Sequence, residues 1–212
     1  MAQKNEYVAA IDLGTTKVVA LVGKRTRSGK LHILAYSKAE SKGIKRGVVL
    51  NIEETVNAIQ QTVEEVQMKS GIIFDEVFVG IAGQHIKSIR NRGYINRDSL
   101  DNEIKKEDIQ ALVRDMHKIP LDAGEEIIHV IPQSFMVDNE SGVKNPVGMT
   151  GRRLEANFHI VIGQIASAKN IEKCINRVGL RVRELILEPL ASSAAVLTED
   201  EKEAGVALVD IG

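Results

Sequence analysis

Tryptophan is absent from these 212 residues, cysteine occurs once, and aromatic side chains make up 3% of the chain. A single thiol, Cys174, excludes an intramolecular disulfide and with it a secreted scaffold stapled by bridges, and fits a cytoplasmic protein. Charge of one sign is not in excess either: 28 Lys and Arg face 29 Asp and Glu. A net charge of -1 supplies no general pull toward polyanions, so no nucleic-acid partner is expected. Long apolar runs are missing. None approaches the roughly 20 residues that cross a bilayer, and Met1 to Tyr7 lacks the apolar core of a signal peptide. Membrane contact would need segments outside these residues. His32, His85, His117, His129 and His159 never fall at metal-ligand spacing with a second His or Cys, which argues against a zinc site. What the chain has is 43% hydrophobic residues, enough to bury a core in one large or two small domains.

The apolar runs Tyr7 to Ile11 and Val18 to Val22 flank Asp12-Leu13-Gly14-Thr15-Thr16, a pattern of strand, tight turn and strand. A third strand is expected over His32 to Tyr36, after a turn at Arg25 to Gly29. Asn51, with Glu54 three residues on, opens a helix with Ile52, Val56, Ile59, Val63 and Val66 at helical spacing, closed near Ser70-Gly71. A buried strand follows over Val77 to Ala82. From about Gln84 to Gln164 the pattern becomes a compact α+β insertion: strands at Ile86 to Ile95, Ile127 to Val137 and Asn157 to Ile162, and a helix from Lys106 to His117. The polar stretch Asp138 to Leu154 reads as a hairpin connection or an interaction surface, with Arg152-Arg153 its basic pair. Beyond it, Ser167 is expected to cap a helix carrying Ile171, Cys174, Ile175 and Val178. A strand over Val182 to Leu187 should then lead into a small-residue helix, Pro189 to Leu197, and Val206 to Ile211 reads as a closing strand.

Three motifs could carry the chemistry. In Asp12-Leu13-Gly14-Thr15-Thr16-Lys17 the glycine lets backbone approach a phosphate, the amides of Thr15, Thr16 and Lys17 can line an anion nest, and Asp12 can hold magnesium through its waters. An ordinary hairpin would carry the same glycine and threonines. A second apolar run, Val206 to Val209, also ends in Asp-apolar-Gly, at Asp210-Ile211-Gly212. Together the two suggest a phosphate clamp with Asp12 and Asp210 on the metal. The third candidate is Glu188, ahead of Pro189 and a helix of small residues, where a carboxylate could position or activate a water beside a terminal phosphate. The competing reading is a solvated glutamate favoured by the helix dipole. Cys174 reads as packing, and Lys42, Lys45 and Arg46 as a solvated loop.

In order and type, Ala9 to Lys17, Glu188-Pro189 with its small residues, and Val209 to Gly212 resemble the first phosphate loop, connecting helix and second phosphate loop of the actin and chaperone ATPase superfamily. Gly43 to Val49, Val79 to Gly83 and Pro146 to Glu155 narrow the resemblance to the bacterial FtsA family of cell-division proteins. The resemblance implies an α/β fold: an actin-like, ribonuclease-H-like first lobe with an inserted α+β subdomain, cut off before the second lobe. It divides the chain at 1–83, 84–163 and 164–212, with the insertion in the middle. It also implies ATP and magnesium as cofactors, self-assembly into filaments, and contacts of the insertion with later division proteins. The tubulin homologue FtsZ would be bound through a second lobe, and the inner face of the membrane at the division site through a C-terminal helix, both beyond these residues. With half a clamp, this length is expected to bind ATP poorly and to be inactive, with at most weak ATPase activity in a longer protein. A sugar kinase of the same fold and a nucleotide-free scaffold are the alternatives.

Overall fold

Strand formation at the start of the chain follows from alternation of branched apolar residues with half-exposed ones, the pattern that buries one sheet face. The computed structural model describes residues 7–27, 29–97 and 103–210, and they divide into two compact units, Met1–His85 with Ala166–Gly212, and Ile86–Ile165. In the first unit β1 (Tyr7–Leu13), β2 (Lys17–Arg25) and β3 (Leu31–Glu40) form the expected antiparallel meander. The third strand runs well past the expected Tyr36. Two very short strands follow, β4 (Ile44–Lys45) and β5 (Val48–Val49), paired as a hairpin across Arg46-Gly47.

α1 (Ile52–Ser70) starts where Asn51 accepts a hydrogen bond from the Glu54 amide, and stops at Gly71 with φ 69°. It buries Val56, Ile59, Val63 and Val66 and packs on β2 and β3. β6 (Glu76–Ile81) lies parallel to β1.

The second unit opens with β7 (Lys87–Asn96), α2 (Lys106–Met116), β8 (Glu125–Val137), β9 (Glu140–Val143) and β10 (Arg153–Gln164), giving an antiparallel sheet in the order β7-β10-β8-β9. One sheet face carries Leu154, Ala156, Phe158, Ile160 and Ile162 from β10, and these pack with Leu112 and Met116 of α2 in a core of their own. Within the stretch expected as a hairpin connection or an interaction surface, Glu140–Val143 is a strand that forms a hairpin with β8, and β10 already begins at Arg153. Asp138 and Asn139 make the turn, with φ 50° and 119°. The Asp138 carboxylate accepts from the amides of Arg152 and Arg153, which holds its pKa below the usual carboxylate range. The Arg152-Arg153 pair is structural on one side as well, since Arg153 pairs with Glu155 and stacks over Tyr94 at 4.1 Å.

The chain returns to the first unit through α3 (Ile165–Arg177), β11 (Arg181–Leu187), α4 (Glu188–Val196) and α5 (Glu199–Ala204), and β11 adds in parallel to β6, completing the order β11-β6-β1-β2-β3. Ser167 does not cap α3. The helix begins two residues earlier, continuous with the end of β10, so Ser167 sits within its first turn. Cys174 is fully buried in α3 and its thiol is pushed up by burial, consistent with packing rather than reactivity. Val206 to Asp210 is not a strand. Among the described residues they pair with no strand, and they lie exposed, Val209 at 74%. An apolar run forms a strand only where a sheet edge receives its backbone groups, and here none does.

Candidate functional site

Three parallel strands, β1, β6 and β11, point their carboxyl ends the same way, the edge where α/β sheets present ligand-binding groups. Asp12 stands one residue from the end of β1, Gly80 one residue from the end of β6, and Glu188 directly follows β11 as the first residue of α4. Pro189 presets the helical turn there. Asp12, Gly80 and Glu188 line one cavity of about 320 Å³ with Asp210, Ala191 and Ser192, over an apolar floor that includes Ala10, Val19, Leu21 and Phe78. Even without strand structure, Asp210 arrives at this corner.

Gly80 is what lets two carboxyl groups meet. A Cβ on it would stand 3.2 Å from Glu188 Cγ and 3.4 Å from both Asp12 Oδ1 and Glu188 Oε1. An added side chain would crowd the Glu188 side chain, which would have to shift by a few tenths of an ångström to admit even a methyl group. Burial pushes the Glu188 pKa up to about 7, helped by the charge of Asp12, the hydrogen bond to it, and the charge of Asp210. Asp12 is also raised, first by burial and then by Asp210, while the hydrogen bond from Glu188 and the charge of Lys17 oppose the shift. The two groups therefore share a proton near neutral pH, with Glu188 the donor and Asp12 the acceptor. Among the described residues no three His, Cys, Asp or Glu groups stand close enough together to hold a metal ion directly.

The turn after β1 is exposed at Thr15, Thr16 and Lys17. Gly14 is required there by close approach, since a Cβ would sit 2.9 Å from the Lys17 carbonyl oxygen. A second cavity of about 390 Å³ opens between this turn and the β4–β5 hairpin, lined by Gly14, Thr15, Arg46, Gly47, Gly83 and Glu188 among others. The hairpin is fixed against the end of β6 by backbone alone: a Cβ on Gly47 would lie 1.8 Å from the Ala82 carbonyl oxygen, and one on Gly83 2.5 Å from that of Arg46. The Arg46 amide donates to Thr15 Oγ1 at 3.1 Å. His85, beside this contact, has both ring nitrogens buried without a hydrogen-bond partner, and burial lowers its pKa.

Of the residues singled out from sequence, the structure thus gathers Asp12, Glu188 and Asp210 at one cavity, places Gly14 and Thr15 at the second, and leaves Thr16 and Lys17 on the exposed rim. Gly212 lies outside the described residues. Arg46, expected in a solvated loop, lines the second cavity, and Gly80 and Gly47 were not read as site residues. The signal for both glycines was their place at a strand end and in a two-residue turn.

Comparison with known proteins adds four findings. Residues 83–162 match the family described as the SHS2 domain inserted in FTSA. The chain is 43% identical to cell division protein FtsA of Pseudomonas aeruginosa, over 99% of its own length and 50% of the relative's. It is 34% identical to FtsA of Escherichia coli over 100% of its length and 50% of the relative's. The chain thus spans about half the length of the curated relatives it matches. Among solved structures, the PilM-PilN type IV pilus biogenesis complex aligns with 91% of this chain and 50% of its own at a TM-score of 0.60 and 11% identity, a likeness of fold alone. The fold is α/β and actin-like, as the sequence motifs implied.

Proposed function

We propose, for a chain homologous over its whole length to cell division protein FtsA and carrying the domain inserted in that protein, that its first unit supplies one half of a nucleotide phosphate site. The observation that carries this reading is the convergence of Asp12, Glu188 and Asp210 on one cavity at the carboxyl ends of parallel strands. The cofactor assigned to the site is ATP with magnesium, which would neutralise phosphate charge. Asp12 and Asp210 line the same cavity, and magnesium, which keeps much of its hydration shell, would be held by them through water. Gly14, Thr15, Thr16 and Lys17 would face the phosphates with backbone amides, hydroxyls and one ammonium. Magnesium held at Asp12 and Asp210 would supply charge neutralisation, and Glu188, hydrogen-bonded to Asp12, would be placed to act as a base for a water. Hydrolysis would be weak, and the site would serve assembly more than turnover.

At the level of the whole protein, the reading is an actin-like cell-division protein that forms filaments, links FtsZ to the membrane and recruits later division proteins. The second unit would make contacts with neighbouring subunits and those partners, while FtsZ and lipid would be engaged by parts beyond these residues, at the cytoplasmic face of the division site. No helix among the described residues is long and apolar enough to cross a membrane. Isothermal titration of ATP with magnesium onto these 212 residues should show no saturable binding, because one half of a clamp is present; micromolar affinity would overturn the half-site view. A chain of the relatives' full length should bind, and Asp12→Ala should abolish that binding. Retention would remove Asp12 from the site.

A further inference from the structure

The turn that joins β4 to β5 is built from two residues with positive φ, Arg46 at 52° and Gly47 at 77°. Such a turn favours Asn-Gly or Gly-Gly, and a long side chain at its first position carries backbone strain. The glycine is explained by the Ala82 carbonyl pressed against it. The arginine is not explained by packing, because its side chain is exposed, and among the described residues its guanidinium has no ion-pair partner. What the strain achieves is placement: the Arg46 amide is tied to Thr15 Oγ1, and the residue lines the cavity that holds Gly14, Thr15 and Glu188.

We propose that Arg46 is the cationic member of an anion subsite, formed with Gly14, Thr15 and Gly47, that takes a terminal phosphate group. The inference rests on the reading of the neighbouring corner as a phosphate site and names the residue that would recognise the outermost phosphate. A guanidinium offers a planar fork of donors matched to phosphate oxygens. Thr15 accepts from the Arg46 amide and so keeps its hydroxyl proton to donate. Glu188 lines the same cavity. The backbone contacts of Gly47 and Gly83 hold the hairpin in place before any ligand arrives, so the ordering cost of the arginine falls on its side chain alone.

Pyrophosphate titrated onto the nitrogen-labelled chain, at constant ionic strength kept with chloride, tests the subsite through backbone amide shifts. Millimolar binding is expected, with the shifts centred on Gly14, Thr15 and Gly47. Arg46→Gln should weaken it about tenfold, and Arg46→Lys should restore part of that loss. Amide shifts of β1 and α1 unchanged in both variants would show that the unit keeps its fold. If Arg46→Gln binds pyrophosphate as tightly as the original chain, with the shifts at Gly14 retained, Arg46 has no such role and the nucleotide reading stands without it. If the original chain shows no shifts, or shifts elsewhere, the subsite is wrong. The broader reading fails separately, when the full-length chain with Arg46 intact binds no nucleotide.

Discussion

Replacing Glu188 with glutamine should make the protein more stable at pH 8 and leave it nearly unchanged at pH 5. The carboxyl's ordinary value is 4.5, and in the fold it is raised to about 7, mainly by burial and then by the charge of Asp12. Between those values the native state holds a proton that the unfolded chain has released, so stability falls as pH rises through the window and levels off above it. At about 1.4 kcal/mol per tenfold change the gap sets an upper bound of about 3 kcal/mol. Because Glu188 keeps part of its surface in water, about 1 to 2 kcal/mol is the expected size. Glutamine stays neutral at every pH and can still donate to Asp12. Carboxylates whose values are lowered, such as Glu65, Asp75, Asp138 and Glu201, lose their contribution only below about pH 4.5 and do not enter the window. His85 changes in the opposite sense, lost as pH falls below 6.5, but both proteins carry it. Urea midpoints at pH 5, 6, 7 and 8 give the comparison, and thermal melts should differ by about 2 to 4 °C per kcal/mol for a chain of this length. Parallel pH profiles for the two proteins would refute the shared-proton geometry.

Glycine substitutions at two positive-φ sites should differ widely. Gly47→Ala puts a Cβ 1.8 Å from the Ala82 carbonyl oxygen and should cost about 3 kcal/mol or more, whereas Gly71→Ala, with φ 69° and open space around it, should cost about 1 kcal/mol; equal urea midpoints would show that the hairpin is not clamped. In the second unit, Phe158→Ala empties a site 1% exposed and should cost about 3 to 5 kcal/mol. Amide exchange should then rise across β7, β8 and β10 while α1 stays protected. Equal loss of protection in both units would mean that they share one cooperative core.

Much of this fold could be read from periodicity and caps. Asn51 and Gly71 bracket α1 because each satisfies backbone groups that the helix leaves unpaired. The apolar alternation of β1, β2 and β6 sets which face is buried. Boundaries failed where tertiary pairing, not local pattern, decides. β3 runs to Glu40 because β2 pairs with it along its whole length, and Glu140–Val143 is a strand only because β8 lies beside it. Val206 to Asp210, with the more strand-like composition, pairs with no strand among the described residues and forms none. α5 did carry a local signal, Thr198 with Glu201 three residues on, and its reciprocal cap is present. At the site, Asp12 and Glu188 were legible because a carboxylate at a strand end has few reasons to be there; Asp210 was read the same way, and it reaches the cavity without the strand that reading assumed. Arg46 and Gly80 were not, since the first gains meaning from Thr15, 31 residues earlier, and the second from the carboxyl pair it makes room for.

The excursion of the chain between β6 and α3 has a consequence for synthesis. β11 docks on β6 through partners such as Arg181 and Asp75, 106 residues apart, and everything the second unit needs is made in between. As the polypeptide leaves the ribosome, the inserted domain can finish before its host, and β11 then closes over a span already shortened by a folded body, at a smaller entropic cost than a loose loop of that length would impose.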